Sequence, residues 1–238
     1  MTSTGTVDQR KARRMLVLLA AAVAMLLTAV IVLAFTLLRE TQEPAASPSA
    51  SAPSAEPSAA ADVTWEPVAG VALPVSRTHG PRVTDDGRAA GFTESELGAA
   101  LAAVHVLVRT GANVGPDIYE PTITQQVTGT NAAAMKVLTD QQYQQLRLST
   151  GAADGDPLPG GNAEVLGYRI ADFSKKAATV EVAMTAPDLA TQVLVFDVAL
   201  QRSAEDWLVI APPRGDWGAV ATTLSAAPEG LLSYGESG

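Results

Sequence analysis

Cysteine is absent from this 238-residue chain. That absence excludes disulfides, thiolate metal sites, thiol redox chemistry and lipoprotein acylation, so any fold must be held by its apolar core alone. Histidine is nearly absent as well: His79 and His105 are the only two, and a pair so widely separated does not make a structural zinc site. No G-x-S-x-G segment occurs, which removes the nucleophile elbow of a Ser-His-Asp hydrolase. Basic charge is scarce beyond the N-terminus. Residues 1–14 hold four basic and one acidic side chain, the remainder 12 basic and 24 acidic, so the formal −9 divides into +3 and −12. A region that acidic is a poor candidate for gripping nucleic acid, which depends on Lys and Arg releasing counterions from phosphates. No nucleic-acid partner is expected.

What is present is led by an uncharged run, Met15 to Leu38. As a helix it would span roughly 36 Å at about 1.5 Å per residue, enough for a bilayer core of about 30 Å. Arg10, Lys11, Arg13 and Arg14 precede it. Basic residues flank a span on its cytoplasmic side, so the reading is a single-pass cell-membrane protein with a cytoplasmic tail (1–14), a transmembrane helix (15–38) and an extracytoplasmic remainder. A cleaved signal peptide has a core of only about 7–15 apolar residues, which argues for an uncleaved anchor. Residues 39–62 form a linker, Pro/Ala/Ser-rich from Glu43 on, a composition that buries no core. The domain is placed at 63–238, with its core at 92–211.

Pro67, Pro74 and Pro81 with several Gly exclude a long helix over 63–91, and the reading there is an irregular or edge-strand arm. Thr93-Glu94-Ser95-Glu96 reads as a capping box, with Phe92 and Leu97 placed as a staple. Leu97, Leu101, Val104 and Val108 follow at helical spacing until Gly111. Pro116 opens a shorter helical segment that Pro121 either kinks or ends. Residues 131–148 predict a third helix, with Asn131 or Thr130 as cap and Ala134, Leu138, Tyr143 and Leu146 as its apolar stripe. The period then changes to two over 164–173, 178–184, 191–202 and 207–210. Short connections between these strands predict a four-stranded antiparallel meander. Trp217 and the apolar residues at 231–234 suggest a tail that folds back.

Helices followed by a meander with one apolar face predict an α+β layer pair. This order, closing on Trp207-Leu208-Val209-Ile210, resembles the NTF2-like (cystatin-like) cone fold over roughly residues 92–211. The order of basic tail, span, linker and outer domain resembles the bitopic scaffold subunits of type IV secretion and conjugation machines. GVALPVS at 70–76, GFTESELGAALAAV at 91–104 and GPDIYEPTITQQVTG at 115–129 are similar to actinobacterial single-pass membrane proteins of conjugative elements. The resemblance implies an assembly or scaffold role, with other membrane-protein subunits or a second copy as partner.

NTF2-like folds also host enzymes whose cone pocket holds an acid or base; the residues that would serve here are Tyr119, Tyr168, Asp172 and Asp197. If the Leu194/Phe196/Val198 face of its strand is the core, Asp197 is solvated. His105 lies in the first helix and reads as a packing residue with one hydrogen bond; His79 lies in a Gly/Pro turn. Asp154 and Asp156 resemble a fragment of a calcium loop without its further ligands. No catalytic, cofactor-binding or metal-ligating residue is therefore assigned, and the expected role is that of an assembly protein, not an enzyme. The alternatives are a cell-envelope small-ligand binder or enzyme using the cone pocket, and an accessory subunit of a lipid importer.

Overall fold

The computed structural model describes residues 62–159, 163–185 and 192–235. The segment expected to be an irregular or edge-strand arm is a regular two-stranded hairpin, β1 (Val63–Val68) and β2 (Val71–Ser76). Ala69 and Gly70 both take positive φ, 46° and 89°, which is what a two-residue turn of matching twist requires. Pro67 and Pro74 are tolerated because β1 and β2 form a two-stranded sheet of their own, with outer edges that need no donor.

Helix α1 (Glu96–Arg109) begins two residues later than the capping box predicts. Ser95, not Thr93, is the cap, and its Oγ accepts from the Gly98 N–H at 3.1 Å. Gly98 is the reason: a Cβ there would stand 2.2 Å from the Thr93 carbonyl oxygen, so only glycine lets the chain turn this tightly into the helix. Every residue from Gly98 to Arg109 is buried. A helix that is apolar or small all round belongs at the centre of a domain, and its alanines let the surrounding layers approach.

Helix α2 (Pro116–Gln126) starts on its proline and continues through Pro121. It runs into a two-residue strand, β3 (Val127–Thr128). Helix α3 (Ala132–Thr150) ends on Gly151 in the left-handed conformation, the usual glycine stop; Asn131 precedes it without a side-chain capping bond. Strands β4 (Glu164–Phe173), β5 (Ala177–Thr185), β6 (Val193–Arg202) and β7 (Trp207–Ile210) follow as an antiparallel meander. The last strand, β8 (Ala221–Leu224), pairs with β6 over Val193–Phe196, while β7 pairs with Leu200–Arg202 further along the same strand.

The sheet is therefore six-stranded and mixed, in the order β3-β7-β6-β5-β4 with β8 beside β6 and β3 parallel to β7. This corrects the expected four-stranded antiparallel sheet and the NTF2-like cone. The cause is local: β3 and β8 are too short to show a period of two, and each is defined by the strand it meets. The interior that a cone would leave open is filled by α1, against Val180 and Val182 of β5, Val198 and Leu200 of β6, and Trp207 and Val209 of β7.

The opposite face of the sheet is also partly covered. Ala183, Val193 and Val195 form a second small core with Leu166, Leu224 and Leu231. The tail then pairs with β4 through two backbone bonds between Tyr168 and Leu232. Tyr234 passes into the interior, where its hydroxyl donates to the Ala100 carbonyl at 3.0 Å.

Among the described residues no helix is long and apolar enough to cross a membrane. Helix α1 is apolar but has only 14 residues, about 21 Å of rise, and α3 has 19 residues but carries Lys136, Asp140 and Arg147. The transmembrane helix expected over 15–38, and with it the single-pass cell-membrane placement with an extracytoplasmic domain, is corrected on this finding. Residues 15–38, like residues 39–61 of the linker, lie outside the described residues.

Candidate functional site

The residues that sequence singled out do not converge. His105 is buried in α1, its Nε2 2.9 Å from the Pro74 carbonyl and Nδ1 without a partner. Nε2 therefore donates and the ring is neutral. Burial first, and then the Arg109 charge, hold its pKa far below the usual value of 6.5, at about 3, against the Pro74 bond, which acts the other way. Because the unfolded chain takes up that proton near pH 6.5 and the folded chain does not until about 3, stability is full above 6.5 and declines as pH falls. The decline attributable to His105 approaches about 1.4 kcal/mol per pH unit. Replacing His105 by glutamine, which can keep a donor near Pro74 and does not titrate, should flatten the loss between pH 6.5 and 5 by up to about 2 kcal/mol. Urea titrations at both pH values measure it, and equal slopes for the two proteins would contradict this account.

Tyr119 is buried beside Tyr143, ring centroids 5.9 Å apart, and burial followed by the neighbouring Asp140 charge raises its hydroxyl well above the usual range. Tyr168 is buried 4.5 Å from the Tyr234 ring, and burial raises its hydroxyl too, with the Glu96 charge adding. Asp172 and Asp197 are exposed. Asp197 sits opposite Glu181, which pairs with Arg169 on the next strand; on β6 it marks the point where the cover supplied by β8 ends. His79 ties the turn after β2 to the start of α1, with Nδ1 3.1 Å from Thr93 Oγ1 and 2.9 Å from Ser95 Oγ. Asp154 pairs with Arg147 at 3.4 Å, and the Asp156 carbonyl accepts from the Tyr143 hydroxyl at 3.0 Å. No group of three His, Asp or Glu able to hold a metal occurs among the described residues. Trp217 donates to Thr110 Oγ1 at 2.9 Å and meets Phe196 edge-on.

Hollows on the surface of the described residues include two candidates for a site. The larger, about 440 Å³, lies between Arg88, Gln125, Gln126, Asp206 and Trp207. Most of its buried polar groups are already occupied; the exception is Arg88 Nε, which is buried without a hydrogen-bond partner. Asp206 accepts from the backbone N–H groups of Gly91 at 2.6 Å, Phe92 at 3.1 Å and Trp207 at 2.8 Å, and Gln126 pairs with Ala89 in both directions. The smaller, about 180 Å³, is apolar and bounded by Val71, Leu107, Phe196 and Trp217. Neither gathers a free acid, base and nucleophile.

The feature that stands apart is α3. It is seated through one narrow stripe, Met135, Thr139 and Tyr143, at a spacing of four. The Tyr143 hydroxyl anchors it to the following loop by accepting from Gly155 N–H at 2.9 Å. Of the stripe expected from sequence only Tyr143 is shared; Ala134 and Leu146 are exposed. At 3.6 residues per turn, Ala134, Val137, Gln141, Gln144 and Leu148 lie directly opposite the buried stripe. All five are exposed, Val137 at 55% and Leu148 at 75%. The outermost face of a surface helix is where charge normally concentrates, yet here it holds none. The charged residues of α3 fall together on one flank and are already paired: Lys136 with Glu120 and Asp140, both at 3.0 Å, and Arg147 with Asp154. Sequence reasoning missed this face, although the spacing of those three charges was the signal that would have oriented the helix.

Comparison with known proteins gives one match. The profile of a family described as a domain of unknown function, DUF8175, matches residues 35–228. No curated protein and no solved structure matches. With most of its length covered by that profile, this chain belongs to the DUF8175 family.

Proposed function

We propose that the domain is a protein–protein assembly module that docks through the outer face of α3, as a subunit of a larger apparatus of the conjugation or secretion kind. The observation that carries this reading is the uncharged, partly apolar stripe from Ala134 to Leu148 on a chain whose formal charge is −9. Exposed apolar side chains set within amides, on an otherwise charged surface, are characteristic of docking patches. Asp206 and Gln126 in the larger hollow are held by the fold, and no catalytic role is assigned to them.

The test introduces charge where the face has none. The full chain carrying Val137→Glu and Leu148→Glu should keep its circular dichroism spectrum and its melting temperature within about 2 °C, since exposed substitutions move stability by about 0.5 kcal/mol or less. In-cell cross-linking followed by mass spectrometry should then show loss of the partner recovered with the unaltered chain. Recovery of the same partner in the same amount from both chains would refute docking through α3.

A further inference from the structure

Resting on that reading, we infer that the occupant of the α3 face is a second copy of this chain, packed antiparallel about a two-fold axis that crosses the face between Gln141 and Gln144. The residues on this stripe recur at alternating steps of three and four: Ala134, Val137, Gln141, Gln144 and Leu148. That is the spacing of one seam of a helix pair. Laid antiparallel about this axis, Val137 of one copy meets Leu148 of the other, and by symmetry Leu148 meets Val137. Gln141 meets Gln144 twice at the centre. Ala134 falls opposite Gly151, the small residue that ends the helix.

Each layer is complementary to its own image, as a closed two-fold contact requires. The apolar residues form the outer layers. The inner layers pair amides, which carry both donors and acceptors. Gln144 already receives Arg147 on its carbonyl oxygen, Nε and Nη2 at 3.1 and 3.0 Å, and directs Nε2 toward Asp154 at 3.5 Å; the second proton of that Nε2 remains for the Gln141 carbonyl of the other copy.

Charge favours this face for a contact between copies. Two copies of a chain at −9 repel one another, and repulsion is least where no charge stands between them. The Val137–Leu148 stripe provides that, while Lys136, Asp140 and Arg147 stay on the flank, bonded within their own copy. One helix face from each copy is a small contact, in the class below about 1,200 Å², so association is weak and rises with concentration.

The lack of cysteine makes the arrangement directly readable. In the full chain carrying both Val137→Cys and Leu148→Cys, the two thiols lie about 16 Å apart along one helix and cannot join within a copy. Across the proposed axis they approach to the roughly 4–7 Å between Cα atoms that a disulfide needs. Oxidation with diamide should convert the double variant to a disulfide-linked dimer at least about tenfold faster than either single variant, whose thiols the axis holds about 16 Å apart. The rate should rise with protein concentration.

Equal cross-linking by Val137→Cys alone would mean parallel pairing and would overturn the proposal. So would a double variant that stays monomeric at every concentration. In that second case, loss of a captured partner from the Val137→Glu/Leu148→Glu chain would leave the assembly reading standing with a different occupant, and no loss would remove both.

Discussion

Trp207→Ala should lower the free energy of unfolding by about 3–5 kcal/mol, the range for removing a large aromatic from a closed core. Trp207 is fully buried on β7. Its indole N–H donates to the Thr93 carbonyl at 2.8 Å, the Arg202 guanidinium lies 5.5 Å from its ring centre, and the Phe173 ring lies 6.1 Å away. The residue thus joins β7, β6, β4 and the entry to α1 in one contact set. Its loss leaves a cavity and strips the Thr93 carbonyl of a partner, the latter worth about 1 kcal/mol. Against the 5–15 kcal/mol that holds a typical domain together, that is a large part of the whole. Trp207→Phe keeps much of the packing and forfeits the hydrogen bond, so it should fall between the two. Urea denaturation gives both values, and a loss under about 1 kcal/mol for the alanine variant would show that this corner is not closely packed.

The second large effect is expected from adding a single methyl group. Gly215 has φ of +73°, and a Cβ there would stand 2.3 Å from the Met135 nitrogen and 2.4 Å from its Cα. Both are backbone atoms of α3 and have no rotamer to escape into. Gly151 has the same φ of +73° and nothing within 4 Å. Gly151→Ala therefore pays only the left-handed conformational penalty, about 1–2 kcal/mol, whereas Gly215→Ala adds a backbone clash and should lose upwards of about 3 kcal/mol. The pair isolates contact from conformation. Equal losses would mean that the turn at Pro213–Gly215 slides away from α3 freely.

How legible these features were follows from the length of each signal. Helix α1 and strands β5 and β6 were readable because nine or more residues repeat one period: Ala178, Val180 and Val182 on β5 are buried as alternation requires. Strand β3 was not, because Val127 and Thr128 become a strand only by lying beside Val209 and Ile210. The cap of α1 was misplaced because Thr93 and Ser95 both offer a hydroxyl, and the choice between them is made by the space around Gly98, which is tertiary information. Helix α3 was found but turned the wrong way. Its leucines and alanines suggested a core, while the residues that seat it include Thr139, which is buried and whose hydroxyl donates to the Thr110 carbonyl at 3.4 Å. A polar anchor is invisible to a count of apolar spacings. The uncharged outer face of α3 was hidden for the same reason.

The bond from Tyr234 to Ala100 joins residues 134 positions apart. Helix α1 is covered by a hairpin that precedes it, by helices and strands that follow it, and finally by this tyrosine. During synthesis the helix therefore emerges long before Tyr234 exists, and part of its surface must wait uncovered through the making of more than half the domain. Native contacts this remote slow the search for the folded state and lengthen the exposure of partly assembled chains. The arrangement makes Tyr234 a late closing contact: the patch of α1 around Ala100 stays uncovered until the tail has been made.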